Sequence, residues 1–311
     1  EPPLNTLIYM AHGADCYRDE AIYSILSLWR HHAPDVVCIL VATDDPAHFQ
    51  RVLGQHDTLR YLPLTPAQLQ AWRGSVDYLH RIKSCAMLHA MQTVLQEPGA
   101  APGDTFMFVD SDTSFMAPVL PVFERIRAGT VVLHASEGTP EATHHETRSK
   151  HRLYQAIQAH RFQVCGAERQ LRTGMTLWNS GIIGIRADQI DLLEQTIAAI
   201  DAIYPVVQIN TVEQIALSAV LDVRSLPVAD CEDVVLHYHV FKEFRADLAQ
   251  FFARYAGSSL AQWLAHWPEV DPAQRILPKL AFNARPKWQR QWLKLIGRRW
   301  APLPYPWASP H

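Results

Sequence analysis

The segment with the clearest chemistry is Asp110-Ser111-Asp112, which directly follows the apolar residues 106–109. Two carboxylates two positions apart can bind one hard cation if the backbone turns between them, and oxygen ligands suit Mg²⁺ or Mn²⁺. A cation held by so few carboxylates keeps coordination positions for diphosphate oxygens. The same pattern is typical of an acidic turn that caps a helix beginning near Pro118, so both interpretations stay open.

Two further segments place polar groups among apolar residues. Asn179-Ser180-Gly181 interrupts the apolar segment 177–185. A glycine inside a strand indicates either the close approach of a backbone or ligand, or a β-bulge. Glu213-Gln214 opens the apolar helical segment 215–221, where an acidic group is also favourable simply because it lies in the first turn of a helix. Each segment therefore has a functional and a structural interpretation.

A late group of basic side chains offers further ligands. His237 and His239 lie in a predicted strand over residues 234–239, and Lys242 follows closely. A histidine there could complete a metal-binding group, and the lysine could neutralise a phosphate. Because the chain has 16 histidines, a pair of surface histidines is the alternative interpretation.

The elements that must position these groups alternate between strand and helix. Helical spacing relates Ile22, Ile25, Leu26 and Trp29. Apolar segments predict strands at residues 4–11, 36–42, 60–62, 105–109, 131–133, 177–185 and 234–239, and apolar periodicity predicts further helices at residues 76–95, 187–204 and 212–221. This alternation predicts an α/β fold with a mostly parallel sheet flanked by helices.

Ligands of such sheets bind at the carboxyl ends of the strands. Acidic residues follow three of the predicted ends: Asp15 after the first strand, Asp44 and Asp45 after the second, and the Asp110/Asp112 pair later. The polar, aperiodic segment 137–151 is predicted to be a loop that closes over the bound ligand.

Composition excludes several classes of protein. With 311 residues, 48% hydrophobic and 19% charged, the chain can form a sizeable core and is not globally disordered. A net charge of −3 argues against nucleic-acid binding driven by bulk charge. The 5 cysteines are widely spaced without a CxxC pattern, which favours a reducing compartment. Residues 1–3 do not resemble a signal peptide and residues 36–42 are too few to span a bilayer, so we expect a cytoplasmic protein.

The charge is uneven, and this divides the chain into residues 1–271 and a basic, Trp-rich tail over residues 272–311. The tail carries +8 and the remainder −11. Within it, one helical side carries Trp288, Trp292, Leu295 and Ile296, and the other carries Lys287, Arg290, Lys294 and Arg298. Such a helix is typical of proteins that bind an anionic membrane surface. It would place the protein peripherally on the inner face of the membrane. Packing on the acidic main domain is the alternative.

Taken together in chain order, these segments resemble the GT-A class of nucleotide-sugar glycosyltransferases, especially the retaining family 8 type. The resemblance covers roughly residues 4–245. It rests on Ala14-Asp15-Cys16-Tyr17, Thr43-Asp44-Asp45, Arg81-Ile82-Lys83, Asp110-Ser111-Asp112, Asn179-Ser180-Gly181, Glu213-Gln214, and His237 with Lys242. It implies that residues 1–271 form a GT-A catalytic domain that binds a nucleotide sugar.

The resemblance also implies an activity: a hexosyltransferase, dependent on Mn²⁺ or Mg²⁺, that moves a hexose from a UDP-sugar to a glycan or lipid-linked acceptor with retention. Its partners would be that donor and that carbohydrate acceptor, with no nucleic acid. It implies Asp110, Asp112 and His237 as metal ligands. Where the family usually has a glycine between the histidine and the lysine, this chain has Tyr238-His239-Val240-Phe241, so His239 remains an alternative ligand.

Roles for the other residues follow from the same resemblance. Lys242 would contact the diphosphate, and Asp110 would also hold the ribose. Beneath the anomeric carbon would lie Glu213 or Gln214. The remaining donor contacts it implies are Asp15 and Tyr17 near the base, Asp44, Asp45 and Ser111 on the nucleotide, and Arg81, Lys83 and Asn179 on the sugar, with Glu213, Gln214 and Asn179 as the catalytic set.

Two other functions compete with this one. Asp110 could be the nucleophile of a haloacid-dehalogenase-like phosphatase, with Asp230 and Asp233 as its late acidic pair. Against this, that nucleophile normally opens its domain, whereas about a hundred residues precede Asp110. The chain could also be a non-catalytic module that binds a nucleotide sugar, although the intact Asp110/Asp112 pair argues mildly against it.

Overall fold

The protein is built around a mixed sheet with helices on both faces. The computed structural model describes residues 4–307. The strands over these residues are β1 Asn5–Ala11, β2 Cys38–Thr43, β3 Leu59–Pro63, β4 Thr105–Val109, β5 Thr113–Phe115, β6 Val131–Ser136, β7 Phe162–Val164, β8 Ala167–Arg169, β9 Trp178–Arg186, β10 Val228–Asp230 and β11 Val235–His237. Seven of them form the central sheet in the order β10-β6-β9-β4-β1-β2-β3. All are parallel except β9, which runs antiparallel to β4 and β6, so the predicted mostly parallel sheet is confirmed.

The helices bury both faces of this sheet. Over the described residues they are α1 Asp15–Trp29, α2 Pro46–Leu53, α3 Pro66–Trp72, α4 Arg81–Leu95, α5 Leu120–Arg127, α6 Pro140–Thr143, α7 Arg148–Ala159, α8 Asp191–Val207, α9 Val212–Arg224, α10 Phe244–Arg254, α11 Leu260–His266, α12 Pro272–Arg275, α13 Leu277–Asn283 and α14 Lys287–Leu295, with 3₁₀ turns at Ala187–Gln189 and Trp267–Val270. Neighbouring residues of β1 belong to different cores: Ile8 packs with α4, α8 and α9, and Leu7 packs with α1, α5 and α10. Burial on both faces explains why the parallel strands are apolar without alternation.

Three strands bring polar residues to one edge of the sheet. β1 ends at Ala11 and β4 ends at Val109, and the antiparallel β9 begins at this same edge with Trp178. A short antiparallel ribbon then joins the segment after β4 to the late part of the chain, because β5 pairs with β11 so that Thr113 lies opposite His237. The ribbon therefore carries His237 to the side of Asp112.

β9 is irregular where its polar residues lie. Its pairing with β6 shifts between Leu133, which lies opposite Ile183, and Ala135, which lies opposite Asn179. Two extra residues of β9 are accommodated at this step, so Ser180 and Gly181 lie in a β-bulge. Bulges re-aim side chains near functional sites, and the bulge interpretation of this segment is compatible with the functional one.

Two predicted elements differ from the structure. The segment 137–151, predicted as a loop, contains α6 and the first turn of α7. Thr139 and Thr147 cap these helices by accepting from the backbone N–H of Ala142 and Lys150, and such local caps are invisible to an apolar period. The helix predicted from residue 76 begins instead at Arg81, because Asp77 adopts a positive φ of 50° that breaks the helix before it.

The basic tail packs on the main body in part. Arg275 of α12 is 4% exposed, and its Nε lies 2.5 Å from Oδ2 of Asp247 in α10. Trp300 packs edge-on against Phe241, with ring centroids 5.8 Å apart. The apolar side of α14 is open, since Trp288 is 71% exposed. Among residues 4–307, no helix is long and apolar enough to cross a membrane.

Candidate active site

A cleft of about 750 Å³ lies at the edge where β1 and β4 end. Most of the residues singled out from the sequence line it together: Tyr17, Lys83, Asp110, Ser111, Asp112, Asn179, Glu213, Gln214, His237, His239 and Lys242. They come from separate parts of the chain, and the fold brings them to one place. This convergence makes the cleft the candidate active site.

A carboxylate–imidazole group forms the floor of the cleft. Asp110, Asp112 and His237 each offer a ligand atom, and these atoms all lie within 4.8 Å of one another. His237 Nε2 lies 3.2 Å from Oδ1 of Asp112 and 3.7 Å from Oδ2 of Asp110. Adjacent ligands of one octahedral ion bound at about 2.1 Å are roughly 3 Å apart, so the spacing and the donor set fit Mg²⁺ or Mn²⁺. His239, whose ring lies 4.6 Å from that of His237, is not part of this group.

The orientation of the His237 ring is also suited to a cation. Its Nδ1 lies 3.0 Å from Oδ1 of Asn179, and that oxygen also accepts from the N–H of Gly181 at 2.9 Å. Because an amide oxygen only accepts, Nδ1 must carry the proton. Nε2 then faces two carboxylates, where it donates a hydrogen bond to Asp112 when it carries a proton and can bind a cation when it does not.

Gly181 is required for this placement of His237. A Cβ atom at position 181 would lie 2.2 Å from Nδ1 of His237 and 2.4 Å from its Cε1. The His237 ring also packs edge-on against His134, with centroids 5.3 Å apart. The glycine in β9 is therefore explained by a close approach, as one interpretation of the sequence proposed.

Two lysines balance the carboxylates. Lys242 Nζ lies 2.5 Å from Oδ2 of Asp112 and Lys83 Nζ lies 3.0 Å from Oδ2 of Asp110. Burial acts to raise the pKa of Asp112, but the hydrogen bond and charge of His237 and the charge of Lys242 outweigh it, so the pKa is well below its usual range. For Lys83 burial acts to lower the pKa, and the charges of Asp110 and Glu213 outweigh it and raise the pKa. These shifts favour the carboxylate form of Asp112 and the ammonium form of Lys83.

The innermost acid of the cleft is Glu213, at the start of α9. It is 5% exposed, and its Oε2 accepts the hydroxyl hydrogen of Ser180 at 2.7 Å. Its other oxygen, Oε1, is buried without a hydrogen-bond partner among the described residues. Burial raises the pKa of Glu213 above its usual value, although the charge of Lys83 opposes this. A carboxyl oxygen of this kind is available to a hydroxyl of a bound ligand.

Two functional candidates were missed in the sequence. Glu137 lines the cleft and accepts from the side-chain amides of Asn179 and Gln214. The feature of the sequence that could have indicated Glu137 is its position directly after a strand, since it follows β6 as Asp110 follows β4. Arg245 also lines the cleft, with its guanidinium 4.6 Å from the ring centre of Tyr17. Buried Glu20 holds it at 3.0 Å, and only its closeness to Lys242 in the sequence pointed to it.

Four of the predicted residues lie outside the cleft lining. Three are acidic groups that follow β1 and β2: Arg18 pairs with Asp15 at 2.7 Å and Asp44 at 2.9 Å, and Asp45 caps α2 by accepting from the N–H of His48. Arg81 instead pairs with Asp201 of α8, at 2.7 Å and 2.9 Å. These contacts account for the four side chains structurally, and their proposed roles at the donor remain predictions.

A second concavity of about 840 Å³ lies beside β3, lined by residues that include Asp35, His56 and Tyr61. Although it is larger, the carboxylate–imidazole group and the residues singled out from the sequence lie in the first cleft. We therefore take the first cleft as the functional one.

Comparison with known proteins gives structural similarity only. No protein-family model and no curated protein matches the chain. The galactosyltransferase LgtC, in complex with donor and acceptor sugar analogs, is 11% identical with a TM-score of 0.45, over 69% of this chain and 70% of that chain. Mouse xyloside xylosyltransferase 1 is 12% identical with a TM-score of 0.45, over 73% and 84%. The glycosyltransferase GlyE of Streptococcus pneumoniae is 11% identical with a TM-score of 0.48, over 85% and 63%.

Proposed function

We propose that this chain is a divalent-metal-dependent glycosyltransferase of the GT-A class, of the retaining family 8 type, which transfers a hexose from a UDP-sugar to a glycan or lipid-linked acceptor. The observation that carries the proposal is the group formed by Asp110, Asp112 and His237, which lies beside Lys242 in a cleft that also holds a buried acid. Two carboxylates, one imidazole and a nearby ammonium are suited to a cation with a diphosphate bound to it.

The leaving group would be stabilised by this end of the cleft. A bound Mg²⁺ or Mn²⁺ would supply Lewis-acid neutralisation of the diphosphate, worth several kcal/mol. Asp110, Asp112 and His237 would hold the ion. Lys242, whose side chain is 52% exposed, can turn from Asp112 to the diphosphate oxygens and add a point charge there. This arrangement favours departure of a nucleoside diphosphate over departure of an uncharged group.

The sugar would lie over Glu213, Gln214 and Asn179. Loss of the diphosphate leaves an oxocarbenium-like sugar, which an adjacent carboxylate stabilises. Glu213 is the innermost acid of the cleft, and Ser180 keeps its carboxylate oriented by donating to Oε2. With retention, the acceptor hydroxyl attacks from the side of the departing phosphate, and a phosphate oxygen takes its proton. The remaining donor contacts proposed from the resemblance are Tyr17 and Asp15 near the base, with Asp44, Asp45, Ser111 and Arg81.

The phosphatase alternative is not favoured by the position of its second acidic pair. Asp230 ends β10, which is separated from β4 by β6 and β9. Neither Asp230 nor Asp233 is among the residues that line the cleft of Asp110. A phosphatase of this type needs its late acids at the same metal as its nucleophile.

Replacing Asp112 tests the proposal directly. We expect Asp112→Ala to lower sugar transfer from UDP-hexose donors by roughly a thousandfold or more, because several kcal/mol of charge stabilisation is lost. We also expect the variant to lose the thermal stabilisation that UDP and Mn²⁺ together give the wild-type protein. A panel of nucleotide sugars in the same thermal-shift assay identifies the donor.

Asp233→Ala is the matched control, because Asp233 is exposed and lies outside the cleft. It should leave transfer unchanged, whereas a phosphatase would lose activity. If Asp112→Ala transferred sugar at the wild-type rate, the assignment of Asp112 as a metal ligand would be refuted. Donor binding without turnover by the wild-type protein would instead favour the non-catalytic module.

We also propose that α14 lies on an anionic membrane surface at the inner face of the membrane. Trp288, Trp292 and Leu295 are 71%, 55% and 85% exposed, so the alternative of packing on the main domain does not account for this apolar side. Lys287, Arg290, Lys294 and Arg298 supply the complementary charge. A Trp-bearing basic helix of this kind binds by apolar burial and by attraction to anionic lipid.

Vesicle sedimentation tests this second proposal. Trp288→Ala with Leu295→Ala should lower binding to vesicles that contain phosphatidylglycerol, and added salt should weaken the remaining binding. The control is Leu277→Ala with Leu280→Ala, which removes two exposed apolar residues of α13 instead. Point variants are preferred to truncation, since Arg275 is buried against the main body. Equal sedimentation of wild type and the α14 variant would remove the membrane role.

A further inference from the structure

Glu137 connects two amides that belong to different elements of the cleft. Its Oε1 accepts from Nδ2 of Asn179 in β9 at 2.8 Å, and its Oε2 accepts from Nε2 of Gln214 in α9 at 2.7 Å. A carboxylate can only accept. Each amide must therefore direct its nitrogen to Glu137 and its oxygen away from it.

The orientation of Asn179 is passed on to His237. With Nδ2 bound to Glu137, Oδ1 of Asn179 accepts from the Gly181 N–H at 2.9 Å and from Nδ1 of His237 at 3.0 Å. Nδ1 thus carries a proton, and Nε2 is the ring nitrogen that faces Asp110 and Asp112. Reversal of the Asn179 amide would direct its NH₂ group at both of these donors and reverse the tautomer of His237.

Backbone hydrogen bonds on both sides of Glu137 fix its position at the edge of the cleft. Its N–H donates to the carbonyl of Leu177 at 2.8 Å, and the Leu177 N–H donates to the carbonyl of Gly138 at 2.8 Å. These bonds extend the β6–β9 pairing one residue beyond β6. Gly138 then turns the chain with a φ of +82°, where a Cβ would meet Thr143 Cγ2 at 2.8 Å.

We propose that Glu137 is a positioning residue of this site, a role that rests on the proposed function for its catalytic meaning. Through Asn179 it keeps Nε2 of His237 available to the divalent cation. Through Gln214 it holds the amide nitrogen on its own side, so the carbonyl oxygen of Gln214 is directed away from Glu137 and can accept from a hydroxyl of the bound sugar. One carboxylate thereby sets the metal-binding end and the sugar-binding end of the cleft together.

Exchanging the carboxylate and the amide between positions 137 and 179 tests this role. In Glu137→Gln, the new side chain has one acceptor and one donor, so it cannot accept from both amides and one of them must reverse. The role proposed for Glu137 predicts that Asn179 is the amide that reverses, since only Asn179 contacts His237. Adding Asn179→Asp restores every bond. The introduced carboxylate then accepts from Gly181, from His237 and from the NH₂ of the introduced amide, whose oxygen accepts from Gln214. We expect about a 10–100-fold loss of Mn²⁺ affinity in the single variant, as for other groups that orient metal ligands, and recovery in the double variant.

Two readouts separate this role from a merely structural one. Titration with Mn²⁺ alone measures affinity, and ¹⁵N NMR of the imidazole, assigned with a His237→Gln variant, reports whether Nδ1 of His237 carries a proton. We expect that proton in the wild type and the double variant and its loss in Glu137→Gln. Glu141→Gln is the control, since the side chain of this exposed glutamate of α6 makes one contact within the described residues, to Thr173 at 3.3 Å.

An Nδ1 proton that persists in Glu137→Gln, or a double variant as impaired as the single one, would overturn the inference. The two proposals fail separately. A wild-type protein that does not bind Mn²⁺ would remove the metal site of the proposed function, and the NMR comparison would still decide the role of Glu137.

Discussion

At the scale of single residues, position 181 leaves no room for a side chain beside His237. Gly181→Ala would place a Cβ 2.2 Å from Nδ1 of His237, so the ring must move away from Asp110 and Asp112. We expect at least a roughly tenfold loss of Mn²⁺ affinity, with a cost to stability of about 1–3 kcal/mol from overpacking. Calorimetric titration and urea unfolding measure the two effects.

Gly184→Ala provides the comparison for that variant. Gly184 is in the same strand, and a Cβ there would lie 2.5 Å from Cδ1 of Ile126 in the core. Its stability should fall by a similar amount while Mn²⁺ affinity stays at the wild-type value. Unchanged affinity in Gly181→Ala would show that the glycine is kept for packing alone.

Residue types and their order in the sequence predicted many of the residues that line the cleft. The others were not predicted because their roles depend on contacts between segments that are distant in the sequence. Asp110, Asp112 and His237 could be chosen because few side chains can hold a hard cation. Glu137 could not be chosen, because its role depends on two amides that are distant in the sequence. Arg81 shows the opposite case: a cation that the resemblance assigns to a sugar is paired with Asp201, and only the packing of α4 on α8 reveals this.

At the scale of elements, the strands were predictable because continuous apolar segments require burial on both faces. The helices capped by Thr139 and Thr147 were not, since capping is a local hydrogen bond without an apolar period. The bulge in β9 was predictable only in part. Gly181 indicated an irregularity, but the number of extra residues depends on the register with β6, which the sequence of β9 alone does not contain.

At the scale of the whole molecule, the sequence predicts a division after residue 271, and contacts cross that boundary. Arg275 lies beyond it and pairs with Asp247 within the main body, where each residue is 4% exposed. Tyr305 donates to the other oxygen of Asp247 at 2.9 Å, and Lys279 pairs with Glu243 at 2.6 Å. Both ends of the described part of the tail are therefore fixed to α10, while the apolar side of α14 between them is open. Charge counting could indicate the tail but could not identify which of its cations is buried.

This arrangement predicts that the tail stabilises the main body through one buried ion pair. Arg275→Met leaves the Asp247 carboxylate buried without its main partner, and removing one member of a buried pair costs about 3–5 kcal/mol. Urea unfolding should show that loss, and adding Asp247→Asn should recover much of it because no uncompensated charge remains. Arg285→Met, at an exposed position of the same tail, should change stability by less than about 0.5 kcal/mol. Equal stability of Arg275→Met and the wild type would mean that the tail is an independent appendage, in which case truncation after residue 271 would leave the main body folded.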